Sequence, residues 1–297
     1  MINFKKAFSL IELSIVILII GILVAGVTQS SRLVNAMRIQ STKLLTRNSP
    51  ASSIQGLTAW FETSLAENFA TGSSGNYTEN PSPDNNSSIA KWNDINPVSS
   101  DKFNAIQPNT AEQPIFIEKA INNLPALRFS GDKSLAINTA FFDRAFSIFM
   151  VVTRASDGSW RCIISDINPS LGNILCAGQD ASNTWTLYRP FSTGSATSLS
   201  SLKNTPVIFE VHSKGINALN SLDANLYLNS ISSALMTMSP AYRGASGAIG
   251  KTIWGAGGGD FWSGDIAEII IFKRMISNDE RLDIAKYLAK KYAIKIL

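Results

Sequence analysis

Twenty consecutive residues, Phe8 to Val27, carry a single charge, Glu12, and follow the pair Lys5 and Lys6. At about 1.5 Å of rise per residue this run matches the roughly 30 Å of hydrocarbon in a bilayer, so it predicts a membrane-spanning helix. An ionised carboxylate one turn into such a span costs about 2.5–3.5 kcal/mol on insertion scales. Glu12 therefore needs a partner, and the run itself contains no cation. A cleaved secretory signal would have a shorter apolar core and a small-x-small cleavage site, whereas here the apolar run continues into further helix-forming sequence. A plain anchor with an incidental glutamate stays open. Gly21 and Ala25 form a small-xxx-small pair of the kind that lets helices approach, a weak signal in any span.

The stretch KKAFSLIELSIVILIIGILVAGV resembles the type IV prepilin leader: a short basic peptide, a small residue before the scissile bond, an aromatic first mature residue and a glutamate at the fifth. The resemblance implies cleavage by a prepilin peptidase between Ala7 and Phe8, N-methylation of Phe8, and pairing of Glu12 with the amine of a neighbouring subunit. The family's usual residue before the cut is glycine, and this chain has Ala7.

The net charge of +4 suggests a basic protein, but its distribution says otherwise. Residues 1–47 hold Lys5, Lys6, Arg32, Arg38, Lys43 and Arg47 against Glu12, a balance of +5; subtracting it from +4 leaves −1 for the remainder. The basic excess belongs to the stem, so nucleic acid is excluded as an expected partner of the globular part. The positive-inside rule, applied to Arg32, Arg38, Lys43 and Arg47, would keep the large domain cytoplasmic. The prepilin resemblance implies the reverse, an N-terminus inside and an exported head, and is preferred here.

Beyond Val27, apolar residues at Leu33, Val34, Met37, Leu44 and Leu45 keep a broadly helical spacing. One helix is predicted from about Phe8 to Leu45, stopped by Asn48, Ser49 and Pro50. The domain reading is a leader at 1–7, a transmembrane and pilin-type helix at 8–47, a linker at 48–55 and one large domain at 56–297. Within that domain, short apolar runs such as GLTAWF, FSIFMVV, PVIFEV, NLYL and IAEIIIF alternate with Gly, Asn, Ser and Pro. They read as strands of a sandwich or jelly roll. Phe149 to Val152 is apolar on both faces and fits a central strand, whereas Leu226 and Leu228 alternate with polar neighbours. Thr71 to Ser88 reads as a mobile polar loop. Ser277 and Glu280 have capping-box spacing ahead of an amphipathic helix with Leu282, Ala285, Leu288, Ala289 and Tyr292.

WNDINPVSSDKFNAIQPNTAEQPIFI, INNLPALRFSGDKSL, FSIFMVVTR and above all WSGDIAEIIIFKRMISNDERLDIAKYLAKKYAI resemble the concanavalin A-like, laminin-G-like domains of bacterial surface proteins. The resemblance covers most of residues 56–296. It implies a mainly β protein, two antiparallel sheets packed as a jelly-roll sandwich, here joined to a long N-terminal helix and a C-terminal helix. That superfamily includes sugar binders, adhesive modules, glycosidases and structural domains, so the fold does not choose among them.

Jelly-roll glucanases need carboxylates on one strand face, hence at alternate positions. No two acidic residues of this chain are separated by a single residue, and Asp265 and Glu268 are expected on opposite faces of their strand. A site built from several strands stays open. The lone His212 is read as a solvated residue near a strand end, too few imidazoles for a multi-histidine metal site. The run Gly255 to Asp260 lies between strands without a following Lys-Ser/Thr, so it is read as a turn and not a phosphate cradle. Asn93, Asp94, Asn96 and Asp101 suit either a calcium ion, with Asp94 and Asp101 as its acidic ligands, or turn chemistry. No other cofactor is expected. Cys162 and Cys176 flank a predicted hairpin turn near Pro169, and both a disulfide and two buried thiols stay open. Trp60, Trp92 and Trp262 are assigned to burial, and Trp185 is the least constrained tryptophan for a binding face.

These readings converge on a minor pilin or pseudopilin-like subunit of a pilus or type II secretion filament. It would sit in the bacterial cytoplasmic membrane as a single-pass protein with its head exported, reaching the periplasm, pilus or cell surface after assembly. Its expected partners are the prepilin peptidase, other pilin or pseudopilin subunits, the membrane, and a glycan or surface ligand at a lectin-like head. A membrane-tethered glycan-active enzyme and a simple anchored surface domain are the alternatives.

Overall fold

A computed structural model describes residues 9–65, 68–142, 144–168, 173–188, 199–219, 221–233, 235–238, 246–252 and 259–297. Contacts divide the chain into two units, Met1–Arg47 and Asn48–Leu297. In the first, α1 (Leu10–Arg47) runs unbroken for 38 residues, since nothing from Leu10 to Arg47 is proline. Its apolar side chains from Leu10 to Val27 are exposed on all sides. Among the described residues it is the one helix long and apolar enough to cross a membrane. The second unit opens with a short 3-10 turn, Pro50–Ser53, whose Ala51 N–H donates to the Ser49 hydroxyl at 3.2 Å.

In chain order the strands are β1 (Leu57–Glu62), β2 (Phe69–Ser73), β3 (Asn76–Glu79), β4 (Lys91–Trp92), β5 (Ala105–Ile106), β6 (Ile115–Ile121), β7 (Leu124–Phe129), β8 (Leu135–Ile137) and β9 (Phe146–Arg154). They continue as β10 (Arg161–Asn168), β11 (Asn173–Gln179), β12 (Trp185–Tyr188), β13 (Val207–Ile216), β14 (Leu222–Leu228), β15 (Ile231–Ser232), β16 (Met236–Met238), β17 (Ser246–Ile249) and β18 (Gly264–Phe272), and α2 (Asn278–Tyr292) closes the chain. One sheet has the order β15-β14-β13-β9-β18-β7-β6, with β1 also on β18 and β16 also on β14; the other runs β12-β11-β10-β17-β8-β5-β4-β2-β3. The strand pairs within both are antiparallel. The head is thus mainly β, two sheets with a C-terminal helix.

Strand periodicity builds the core. Phe146, Ile148, Met150 and Val152 alternate along β9 and meet Phe209 and Val211 of β13, Leu226 of β14, and Trp92, Ile163, Leu187 and Ile249 of the second sheet. Each fully buried Phe, Leu or Ile side chain contributes about 1.5–3 kcal/mol of hydrophobic stabilisation. The intervening residues of β9 are buried too, because α2 and its approach cover the outer face: Ile276 N–H donates to the Ser147 hydroxyl at 3.0 Å, and Phe149 packs edge-on against Phe272.

Two expectations are corrected. Thr71 to Ser88 is not one structureless loop, since β2 and β3 form a hairpin through Ala70 to Glu79 and Ser88 bridges Ile115. The two-residue turn is made by Ser74 and Gly75, at φ 52° and 89°, and within β2 Gly72, at φ 120°, lies against the Asn76 carbonyl where a Cβ would clash. Asp265 and Glu268 also share one face. β18 carries a bulge in which Ile266 faces Val152 and Glu268 faces Val151, leaving Ala267 as the extra residue. Ile266, Ile269 and Ile271 all point into the core, so both carboxylates point outward.

Candidate functional site

At the start of α1, Glu12 Oε2 accepts the Ser9 backbone N–H at 2.9 Å, the Ser9 hydroxyl accepts Ile11 N–H at 3.4 Å, and the Ser9 carbonyl accepts Leu13 N–H at 3.1 Å. Glu12, at the third helical position, makes the carboxylate half of a capping box, while the Ser9 hydroxyl caps the second position. The carboxylate satisfies a backbone donor that would otherwise be orphaned and sits at the positive end of the helix dipole. Glu12 thus has an intrahelical partner that sequence reading had not supplied. Ala7 and Phe8 lie outside the described residues.

On the head, α2 is stapled to the outer face of the first sheet by two charged clusters. The helix begins in a capping box in which Ser277 Oγ accepts Glu280 N–H at 3.3 Å and Glu280 Oε2 accepts Ser277 N–H at 2.8 Å. One turn on, Arg281 bonds Glu210 Oε2 at 3.1 Å and lies 4.0 Å over the Tyr227 ring. His212 completes this cluster, its Nε2 3.2 Å from Glu210 Oε2 and its ring edge-on to Phe149 and Tyr227. His212 is therefore buried under the helix and not solvated; its neighbours Val211 and Phe209 belong to the core as the alternation required.

The second cluster joins β1, β18 and α2. Lys291 Nζ is 2.6 Å from Glu62 Oε1 and 2.7 Å from Glu268 Oε2, all three side chains fully buried. Trp60 Nε1 and the Tyr287 hydroxyl each donate to Glu268 Oε1 at 2.8 Å, and the Tyr292 hydroxyl to Oε2 at 2.9 Å. Glu62 receives the Ser64 hydroxyl, Leu65 N–H at 2.9 Å and Asn68 Nδ2 at 2.8 Å. Burial pushes the Glu62 carboxyl up, but Lys291 and these donors outweigh it and hold it below the ordinary range. Burial also raises Glu268, where the charge of Glu62 adds to it and Lys291 does not compensate. Burial, with both carboxylates nearby, raises the Tyr292 hydroxyl well above its ordinary range, which keeps it a donor.

Sequence spacing missed the Glu62–Glu268 pair because its members come from the first and last strands. Two carboxylates meeting on one lysine are close enough to resemble an acid–nucleophile pair. Both are sealed from solvent beneath α2, so their geometry is that of a structural ion triad. Asp265 is engaged by Arg128 in a two-pronged pair at 2.7 and 3.0 Å. Asp166 accepts the backbone N–H of Phe141 at 2.7 Å and of Phe142 at 2.6 Å.

Asp94 is 4% exposed, and its carboxylate accepts Trp60 N–H and Asn96 N–H through one oxygen and Phe103 N–H through the other. Asn96 bridges the Leu57 and Thr58 carbonyls. Asp101 is exposed and its N–H bonds Ser99. The segment uses these groups to order a loop, and among the described residues no group of three His, Cys, Asp or Glu side chains is arranged around a metal position. Cys162 and Cys176 are joined by a disulfide across β10 and β11, and pack with Tyr188 and the half-buried Trp160, whose rings lie 4.6 Å apart and tilted by 52°. The turn near Pro169 and most of the run from Gly255 lie outside the described residues. Trp185 is fully buried between Phe209 and Trp262, so it offers no binding face.

Residues 2–28 match the model of the prokaryotic N-terminal methylation motif. The chain carries a type IV prepilin motif. The motif supports a type IV pilin-like protein and implies processing by a prepilin peptidase and assembly with other pilin subunits. With the apolar α1 it supports membrane anchoring and a pilus or surface location. No curated protein matches the sequence. Among solved structures, a Trypanosoma rangeli sialidase matches at 10% identity and TM-score 0.47 over 80% of this chain. This chain spans only 33% of that sialidase's length. Domain 4 of an extracellular arabinanase from Geobacillus stearothermophilus, in complex with arabinotriose, matches at 14% identity and TM-score 0.44 over 58% of this chain and 81% of that one. An arabinofuranosidase matches at 13% identity and TM-score 0.46, over 69% and 51% respectively.

Proposed function

We propose that this chain is a minor pilin or pseudopilin-like subunit whose prepilin-type helix inserts into a filament and whose β-sandwich head is displayed for adhesion or surface binding. The observation that carries this reading is the methylation motif over residues 2–28, with Glu12 at the head of an apolar helix of 38 residues. Before assembly the helix spans the cytoplasmic membrane once, with the head exported. In the filament, the apolar side chains that α1 exposes pack against those of neighbouring subunits, and Glu12 turns from its own backbone toward the methylated amine of a neighbour. The head serves as a binding module: its buried carboxylates are held by Lys291, Arg281 and backbone amides, an arrangement suited to rigidity and not to turnover.

Mass spectrometry of the mature N-terminus tests the processing step. The expected chain begins at N-methylated Phe8, and one beginning at Met1 would overturn the reading. Protease protection in intact cells or spheroplasts tests orientation, with the head expected to be digested from outside.

A further inference from the structure

The tripeptide Asn-x-Ser/Thr, with any residue but proline in the middle, is the acceptor signal for N-linked sugar in exported proteins and belongs to surface segments. In 297 residues it occurs three times, as Asn76-Tyr77-Thr78, Asn85-Asn86-Ser87 and Asn86-Ser87-Ser88. Proline closes two further matches, at Asn80 and Asn168. All three open ones fall within residues 76–88, and the fold places that stretch where both sheets end.

β3, which carries Asn76, is the last strand of the second sheet, and β6 is the last of the first. Residues 85–90 pass from one edge to the other. Asn86 N–H bonds the Phe116 carbonyl and Phe116 N–H bonds the Ser87 carbonyl, each at 2.8 Å; Ile89 N–H bonds the Pro114 carbonyl at 2.9 Å and Ala90 N–H the Ala70 carbonyl of β2 at 3.0 Å. This segment covers β6 along Phe116, whereas among the described residues no strand pairs with the outer edge of β3. An open edge offers backbone donors and acceptors to any strand that approaches, and folded proteins block it with lysine, proline or a bulge. β3 has the sequence Asn-Tyr-Thr-Glu, with neither lysine nor proline, and Asn76, Thr78 and Glu79 are exposed.

The three asparagines differ in what their amides do. Asn76 and Thr78 share one face of β3, as alternate strand residues must, and the Asn76 amide bonds nothing among the described residues. Asn86 is exposed at φ 73°, in a turn closed by Ser87 N–H on the Asp84 carbonyl at 3.0 Å, and its amide is likewise unbonded among the described residues. Asn85 Oδ1 accepts Glu118 N–H at 3.0 Å, which ties that amide to β6.

We propose that Asn76 and Asn86 are acceptors of N-linked oligosaccharide, and that the sugars cover the side of the sandwich where its two sheets end. The donor is an oligosaccharide carried on a lipid pyrophosphate. The asparagine Nδ2 forms a bond to the anomeric carbon, the bond from that carbon to the phosphate oxygen breaks, the lipid pyrophosphate leaves with the electron pair, and the amide proton passes to a carboxylate of the transferase. The proposal rests on the reading of an exported head, since the transfer takes place outside the cytoplasm.

Peptide mass spectrometry of the full chain, purified from the envelope of the cell that makes it, tests the assignment. The peptides holding Asn76 and Asn86 are expected to carry whole numbers of sugar residues, and Asn85 none. Asn76→Gln and Thr78→Ala are each expected to abolish the sugar at the first site, and Asn86→Gln and Ser88→Ala at the second, with the melting temperature unchanged. Thr78→Ser, which keeps the hydroxyl, should retain it and covers the case in which Thr78→Ala fails to fold. Bare peptides at both sites would overturn the proposal, as would sugar on Asn85 in place of Asn86. A sugar that survives in Asn76→Gln but disappears in Thr78→Ala sits on the hydroxyl and overturns it too. Protease protection on the same cells separates the two readings: a head digested from outside yet bare of sugar overturns the acceptor sites alone, whereas a shielded, bare head removes the exported head with them.

Discussion

Lys291, one residue from the end of the last helix, places its ammonium 2.6 Å from the carboxylate of Glu62, at the end of the first strand. The contact ties the two ends of the head together, and Glu268 on β18 closes the triad at 2.7 Å. β1 is the first strand of the head. An ion triad at that strand holds it against both its sheet partner and the covering helix.

Removing the cation leaves two buried carboxylates facing each other. Lys291→Met is expected to destabilise the head by about 3–5 kcal/mol, the usual cost of breaking a buried pair on one side. Denaturant unfolding monitored by tryptophan fluorescence measures it, with Trp60 inside the cluster as reporter. A loss below about 1 kcal/mol would place the triad with exposed ion pairs, contrary to its burial.

The same triad sets a pH dependence of stability with two opposite arms. Glu62, held below its ordinary 4.5, contributes stability that is present above 4.5 and lost as pH falls through its folded value. Glu268, raised above 4.5, binds its proton more tightly when folded; its contribution is full below 4.5 and is lost as pH rises through its folded value. Glu268→Gln removes the second arm. Its stability measured from pH 5 to 8 is expected to fall less with rising pH than that of the parent, and parallel curves would refute the assignment.

Much of this fold was legible where one period governs a segment. Leu226 and Leu228 face the core as their alternation required, and the Ser277–Glu280 spacing is a capping box in the structure. Elements that depend on a single irregular residue were not legible. The Ala267 bulge reversed the relation of Asp265 to Glu268, because one inserted residue shifts every later side chain to the other face. His212 and Trp185 differ from expectation because a helix more than 60 residues later in the chain covers the first, and Phe209 of β13 and Trp262, both distant in sequence, enclose the second. The Glu62–Glu268–Lys291 cluster joins residues more than 200 positions apart, and no local pattern announces such a contact.

The Cys162–Cys176 bond closes a loop of 14 residues' separation across β10 and β11. Replacing both cysteines by serine is expected to cost about 3 kcal/mol in the chain-entropy model. The same loss should appear when the parent is unfolded in the presence of a reductant. A denatured, unreduced sample that titrated two thiols would contradict the bond.

Glu280 combines two roles at the start of α2, accepting Ser277 N–H at 2.8 Å and an Arg274 guanidinium donor. The Arg274 bond, ahead of a small opposing effect of burial and the help of Ser277, lowers its pKa to about 2. The sign is that of a depressed carboxylate: the stability it adds is present above 4.5 and disappears as pH falls through about 2. Because the Glu280 and Arg274 side chains are 30% and 32% exposed, solvent screens the ion pair and the cap itself carries most of the effect. Glu280→Gln keeps an acceptor for Ser277 N–H and is expected to cost under about 1 kcal/mol at pH 7, whereas Ser277→Ala, which removes the hydroxyl that accepts Glu280 N–H, should cost about 1 kcal/mol. Salt separates the contributions. Raising ionic strength should shrink the Glu280→Gln effect and leave that of Ser277→Ala unchanged, and a Ser277→Ala cost that also fell with salt would show that the helix start is held by charge and not by its cap.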